Sequence, residues 1–177
     1  MKKQLTILCV LLCTGAFAQN FSDVVKEQLI KEWVRAKAYT NEYLAAMPAD
    51  KYSFKPNDSI RTFAQQMLHL AQGNIGLMGN AVAGEKPAFA MRNLEKAAGA
   101  QSKDSVTYFV NQSYDYAING LKQFDASKFE EKASWMKLDE TKLAWILKAF
   151  EHQTHHRGQT TIYLRTAGIH PPQEKLF

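Results

Sequence analysis

The sequence predicts an all-α protein, an antiparallel four-helix bundle. Four long stretches repeat apolar residues at three- and four-residue steps, and the segments between them carry Pro, Gly and turn-forming residues. Nowhere does the alternation of a half-buried strand compete with these patterns.

The chain opens with Met1, Lys2 and Lys3, runs through an apolar stretch from Leu5 to Leu12 and reaches Ala16-Phe17-Ala18. A basic start, a short apolar run and a small-x-small site define a secretory signal, with cleavage expected after Ala18. The apolar run is well short of the roughly 20 residues that span a bilayer, so no membrane anchor is expected once residues 1–18 are removed. Both cysteines, Cys9 and Cys13, lie inside this leader. The mature chain is therefore expected to rely on packing and to lack thiol chemistry. Residues 19–177 form a single expected domain of 159 residues, exported to the periplasm or medium.

In the first helix, over 22–47, Val25, Leu29, Trp33, Ala36, Tyr39 and Tyr43 form the apolar stripe, with Ser22 as cap and Pro48 as stop. Residues 49–59, with Pro56 and Asn57-Asp58-Ser59, form a connection. Thr62 and Gln65 have the spacing of a capping box, so the second helix is expected from Phe63 to about Ala83, ending at Gly84. Residues 84–101 lack a period and read as a long connection with at most a short helical turn. Ser102 and Ser105 start the third helix, whose stripe is Val106, Phe109, Val110, Tyr114, Ala117, Ile118, Leu121 and Phe124. Residues 125–138 again lack a period. The fourth helix is expected from Asp139 to Ala167, closed by Gly168 and by Pro171-Pro172 beyond it. It is apolar on two sides, since Leu143, Ile146, Leu147 and Phe150 lie opposite the face bearing Trp145, Ala149 and Tyr163. Such a helix is either sunk in its own bundle or shared with a second subunit.

Charge narrows the partners. Loss of Lys2 and Lys3 takes the basic residues from 22 to 20 against 17 acids, a net charge of +3, which is too small and too scattered to argue for nucleic acid.

The chemistry concentrates on the fourth helix. His152 and His156 are four residues apart and share one face, because each residue turns the helix by about 100°. His155 points roughly 60° from His152 and 100° from His156, which leaves it facing solvent or supporting the ligands from behind. The third ligand must come from another helix, and His69 is the other histidine within one; His170 lies beyond the last helix. Three imidazoles without cysteine leave a coordination position open to water or substrate, as in a working rather than a structural metal site. The position after the first histidine is Gln153, which cannot act as the base of an H-E-x-x-H protease. Gln159 and Tyr163 beside the pair suit packing and hydrogen bonding to the ligands or the lining of a pocket. Arg157 and Arg165 suit the helix dipole.

The segment Arg61-Thr62-Phe63 to Leu68-His69-Leu70-Ala71, and the stretch His152-Gln153-Thr154-His155-His156-Arg157-Gly158-Gln159 to Leu164-Arg165-Thr166-Ala167-Gly168, resemble the DinB-like superfamily. The likeness runs from the first helix to the C-terminus. It implies a four-helix bundle, often dimeric, whose metal is held by one histidine of the second helix and an H-x-x-x-H pair of the fourth, which fall here on His69, His152 and His156. Better understood relatives are thiol S-transferases and a thiol-dependent isomerase that use low-molecular-weight thiols, while many members have no assigned activity. This chain departs from them in its export signal, since those thiols are cytoplasmic.

The expected function is thus an exported metal-dependent enzyme of thiol S-transferase or hydrolase type, acting on a small molecule and forming a homodimer. Zinc or nickel suits three imidazoles, with iron, copper and manganese as further candidates. A non-catalytic exported bundle that binds a metal or small ligand, as in stress response, is the alternative.

Overall fold

A computed structural model describes the chain apart from residues 1, 83 and 91, with side chains described from residue 21 onward. The expected signal and its cleavage point at Ala18 lie outside the described side chains. Four helices dominate: α1 (Lys2–Ala46), α2 (Phe63–Met78), α3 (Lys103–Gln123) and α4 (Lys142–Thr166). Both α1 and α2 pack against α3 and α4, so α1 lies across the bundle from α2. No helix among the described residues is long and apolar enough to cross a membrane.

The helix ends follow local chemistry. Ser22 sits inside α1 rather than capping it, because the helix already runs through that position; Pro48 follows its end as expected. At α2 the capping box is complete: the Gln65 amide donates to Thr62 Oγ1 at 3.2 Å, and the Thr62 amide donates to Gln65 Oε1 at 3.0 Å. The helix stops at Met78, short of the expected Ala83. Gly79 lowers helix propensity there, and Asn80 Nδ2 donates to the Gly76 carbonyl at 2.8 Å, drawing the chain out of the helical path. At α3 the Ser105 amide donates to Ser102 Oγ at 3.2 Å. Gly168 closes α4 with φ +79, a left-handed stop that glycine adopts without strain.

One expectation fails outright. Residues 132–141, read as part of a connection and the start of the fourth helix, form a hairpin of β1 (Lys132–Trp135) and β2 (Leu138–Thr141), paired antiparallel from Lys132↔Thr141 to Trp135↔Leu138. Its two-residue turn holds Met136 and Lys137 at φ 48 and 71. A turn of this kind normally uses Asn-Gly, so the sequence carried no turn signal, and four-residue strands are too short to show alternation. The hairpin is held from outside: Trp145 Nε1 donates to the Ala133 carbonyl at 2.8 Å, and the Trp135 and Trp145 rings meet edge to face at 6.0 Å. Thr141 ends β2 and caps α4, its Oγ1 accepting from the Ala144 amide at 3.1 Å, so α4 starts at Lys142 rather than Asp139.

The core centres on Trp33, fully buried, whose ring meets Tyr114 at 5.7 Å and Phe150 at 5.6 Å. Truncating such a side chain to alanine costs about 3–5 kcal/mol. Phe150 and Ile146 thus meet the bundle's own interior, while Leu147 on the same side of α4 stays exposed.

Candidate metal centre

His69 projects from the second turn of α2, and His152 and His156 from successive turns of the facing stretch of α4. The three ring nitrogens that face one another lie within 4.8 Å. Ring centroids are 4.5 Å apart for His69 and His156, 4.3 Å for His152 and His156, and 5.2 Å for His69 and His152. The sequence-selected triad is therefore assembled. His170 is exposed and apart from it, and His155 stays on the outer surface, its ring edge-on to His156 at 4.9 Å.

Close approach of α2 and α4 rests on Gly73, one turn beyond His69. A Cβ there would stand 2.0 Å from His152 Cε1 and 2.4 Å from its Nδ1, so only glycine lets that imidazole lie against the α2 backbone.

Each ring is oriented differently. His69 Nδ1 is 2.7 Å from Glu95 Oε1 and 3.3 Å from Arg61 Nη2. A carboxylate can only accept, so Nδ1 carries the proton and Nε2 keeps its lone pair for the cluster. Arg61 Nε in turn donates to Glu95 Oε2 at 2.6 Å. Burial pushes the Glu95 carboxyl up, but the bonds from Arg61 and His69 outweigh it and hold it below its usual value. His156 Nδ1 accepts from Gln66 Nε2 at 2.8 Å, which fixes the ring with Nε2 on the side away from Gln66. Gln66 also donates to Gln159 Oε1, and Gln159 Nε2 donates to His155 Nε2 at 3.0 Å. His152 Nδ1 is buried without any hydrogen-bond partner among the described residues.

Burial, helped by the neighbouring His69, His155 and Arg61, pushes His152 down to about 4; burial and the charges of His152, His69, His155 and Arg61 push His156 down to about 3. Both rings are thus neutral near pH 7, the state in which imidazole binds a metal. A buried nitrogen lacking a protein partner, a carboxylate behind a second ring and two neutral imidazoles together fit a divalent ion.

Behind the pair, α4 is anchored by a buried polar network. Gln153 Oε1 accepts from Tyr114 Oη at 2.7 Å and from Arg157 Nη1 at 3.0 Å, Tyr114 Oη lies 2.7 Å from Thr40 Oγ1, and the Arg157 guanidinium sits 4.6 Å from the Tyr39 ring centre. Arg157 is therefore buried and stacked rather than a surface residue serving the helix dipole. Being next in sequence to His152 and His156, Gln153 and Arg157 fix the rotation of α4 that aims both rings inward.

Sequence reasoning named all three histidines, Gln159 and Tyr163, but missed Glu95 and Gln66 and assigned Arg61 no role. Gln66 carried one signal, its place one turn before His69 on α2. Glu95 carried none, since it lies in a 3₁₀ turn (Leu94–Lys96) within an aperiodic connection.

A helical bundle that brings three imidazoles from two adjacent helices to one point defines the class: a protein with a three-histidine cluster placed to take a metal ion. Within that class the chain belongs to the DinB family, whose sequence model matches residues 18–176. No curated protein matches it. Among solved structures it is similar to a DinB-like protein from Bacillus cereus, at 16% identity and a TM-score of 0.69 over 84% of this chain and 97% of that one. It is also similar to a DinB-like protein, YjoA, from Bacillus subtilis, at 18% identity and a TM-score of 0.59 over 85% of this chain and 96% of that one. At such identities the likeness speaks for the fold.

Proposed function

We propose that His69, His152 and His156 hold one divalent transition metal and that the protein is an exported metal-dependent enzyme of transferase or hydrolase type. The observation that carries this reading is the convergence of three ring nitrogens within 4.8 Å, with Glu95 setting the His69 tautomer from behind. An ion held by three imidazoles supplies Lewis acidity at its remaining position, lowering the pKa of a thiol or water brought there. The protein's own groups then have defined tasks. Glu95 and Gln66 fix two of the rings, Gly73 admits the third, and the Gln153–Arg157–Tyr114 network keeps α4 from turning.

Of the two reaction types, S-transfer is favoured. Among the described residues Glu95 is the one carboxylate touching the cluster, and both its oxygens are already engaged, which makes it a poor base for hydrolysis. Export is supported by the form of residues 1–18, a basic start, a short apolar run and a small-x-small site. Zinc and nickel head the candidates on ligand type.

The test is elemental analysis of the exported protein, purified without chelator or nickel affinity, beside His156→Ala. About one equivalent of a single transition metal, lost in a variant that keeps its helical circular dichroism, is expected; full metal retention in the variant would overturn the ligand set. Metal-dependent turnover of electrophiles with a panel of thiols separates an enzyme from the alternative, a metal-carrying bundle without catalysis, which would show none.

A further inference from the structure

Beside the histidines opens a cleft of about 580 Å³, in the size range of small-molecule sites. Its apolar walls are Pro56, Ile60 and Ile162, the last two 42% and 55% exposed; Gln66 and Gln159 form the side toward His156. Arg61 is the single charged residue lining it, and no carboxylate does. The Arg61 side chain is 40% exposed; Nε and Nη2 face Glu95 and His69, while Nη1 makes no hydrogen bond among the described residues. The backbone beneath it is fixed, because Tyr163 Oη donates to the Arg61 carbonyl at 2.8 Å and the Tyr163 ring packs edge-on to Phe63 at 6.3 Å.

A guanidinium with one donor directed away from its ion pair, set at the foot of an apolar slot, matches a ligand with one anionic group and a hydrocarbon body. We infer that this cleft binds a small organic anion, its carboxylate or similar group on Arg61 and its apolar part along Ile60 and Ile162, with the reacting end directed past Gln66 and Gln159 to the histidines. The inference deepens the proposed function and rests on it for the purpose of the cleft; binding itself needs no ion. Charge is compatible with it: Arg61 has a further nitrogen to offer the anion, and the carboxylate paired with Arg61, Glu95, does not line the cleft.

Hexanoate and its neutral isostere hexanamide are the probes, titrated by NMR shift changes into the as-purified full chain and into chelator-treated protein. A charge-assisted bond predicts hexanoate binding about tenfold tighter than hexanamide in both preparations. Arg61→Gln should remove that preference while leaving hexanamide within about twofold, and Ile162→Asp, at an exposed wall position, should weaken hexanoate more than hexanamide. Equal affinity for the two probes, no binding of either, or a preference that survives Arg61→Gln would overturn the inference. So would hexanoate binding confined to the as-purified protein, since the carboxylate would then be held by an ion rather than by Arg61. Persistence of the preference in protein that never carries metal would uphold the cleft and refute the metal reading alone.

Discussion

Gly73→Ala tests the site without touching a ligand. A methyl group on Gly73 would stand 2.8 Å from His152 Nε2 and closer to Nδ1 and Cε1, where ordinary contact begins at 3.4 Å. The ring must therefore retreat by at least 0.6 Å at Nε2, the difference of those two distances, and by more at its other atoms. Metal–nitrogen bonds tolerate only about 0.2 Å. His152 should thus be lost as a ligand, and metal affinity should fall by about 100-fold or more, at least as much as when supporting groups are removed. The metal-free fold should change little. Alanine gains about 0.5–1 kcal/mol of helix propensity, while overpacking costs about 1–3 kcal/mol. Chelator competition gives the affinity, and urea denaturation of the metal-free protein gives the stability. Gly158→Ala is the control: a Cβ there meets nothing within 4 Å, so it should stabilise α4 by about 0.5–1 kcal/mol with unchanged metal affinity. A Gly73→Ala protein whose affinity stays within about threefold of wild type would show that His152 does not need to lie against α2, and would refute the argument.

Three more predictions are open to direct measurement. Glu95→Gln keeps the shape of the side chain but removes the charge that aligns His69 and partners Arg61, so metal affinity should drop by about 10–100-fold in chelator competition, and an unchanged affinity would deny Glu95 its role. Thr62→Ala removes one half of the α2 capping box and should cost about 1 kcal/mol in urea unfolding while leaving metal content intact. In metal-free protein, His152 and His156 titrate far below the 6.5 of an unfolded histidine, so below pH 6.5 the unfolded chain binds protons first and stability falls with pH until about 4 to 3; thermal melts of wild type should slope downward between pH 6.5 and 5, above the carboxylate range, and His156→Leu should flatten that slope.

How much of this could be read in advance depended on whether a feature repeats along the chain. His152 and His156 were legible because four residues is nearly one helical turn, and His69 because few histidines fall in a helix. Thr62 with Gln65 and the Gly168 stop were legible because caps use residue types at fixed offsets. Glu95 was not, because it reaches His69 across 26 residues from a turn that has no period. Arg157 was misjudged because spacing alone does not tell that Tyr39 and Gln153 would receive a buried guanidinium. The hairpin escaped because Met136 and Lys137 occupy backbone conformations usually marked by Asn and Gly.

The chain of amides from His156 through Gln66 and Gln159 to His155 has a direction. As it stands, Gln66 donates to His156 Nδ1, which places the proton of that ring on Nε2. A ring that gives Nε2 to an ion must instead carry its proton on Nδ1 and donate it. Gln66 must then turn its oxygen inward, Gln159 must turn its nitrogen toward Gln66, and His155 must supply a proton to Gln159 Oε1. Each amide rotates by half a turn, so its nitrogen and oxygen exchange places while the rest of the side chain stays where it is. An ion taken up at the centre would thus reverse a run of hydrogen bonds that ends at an exposed imidazole, and the tautomer of His155, legible in its nitrogen chemical shifts, would report from the protein surface whether the buried site is filled.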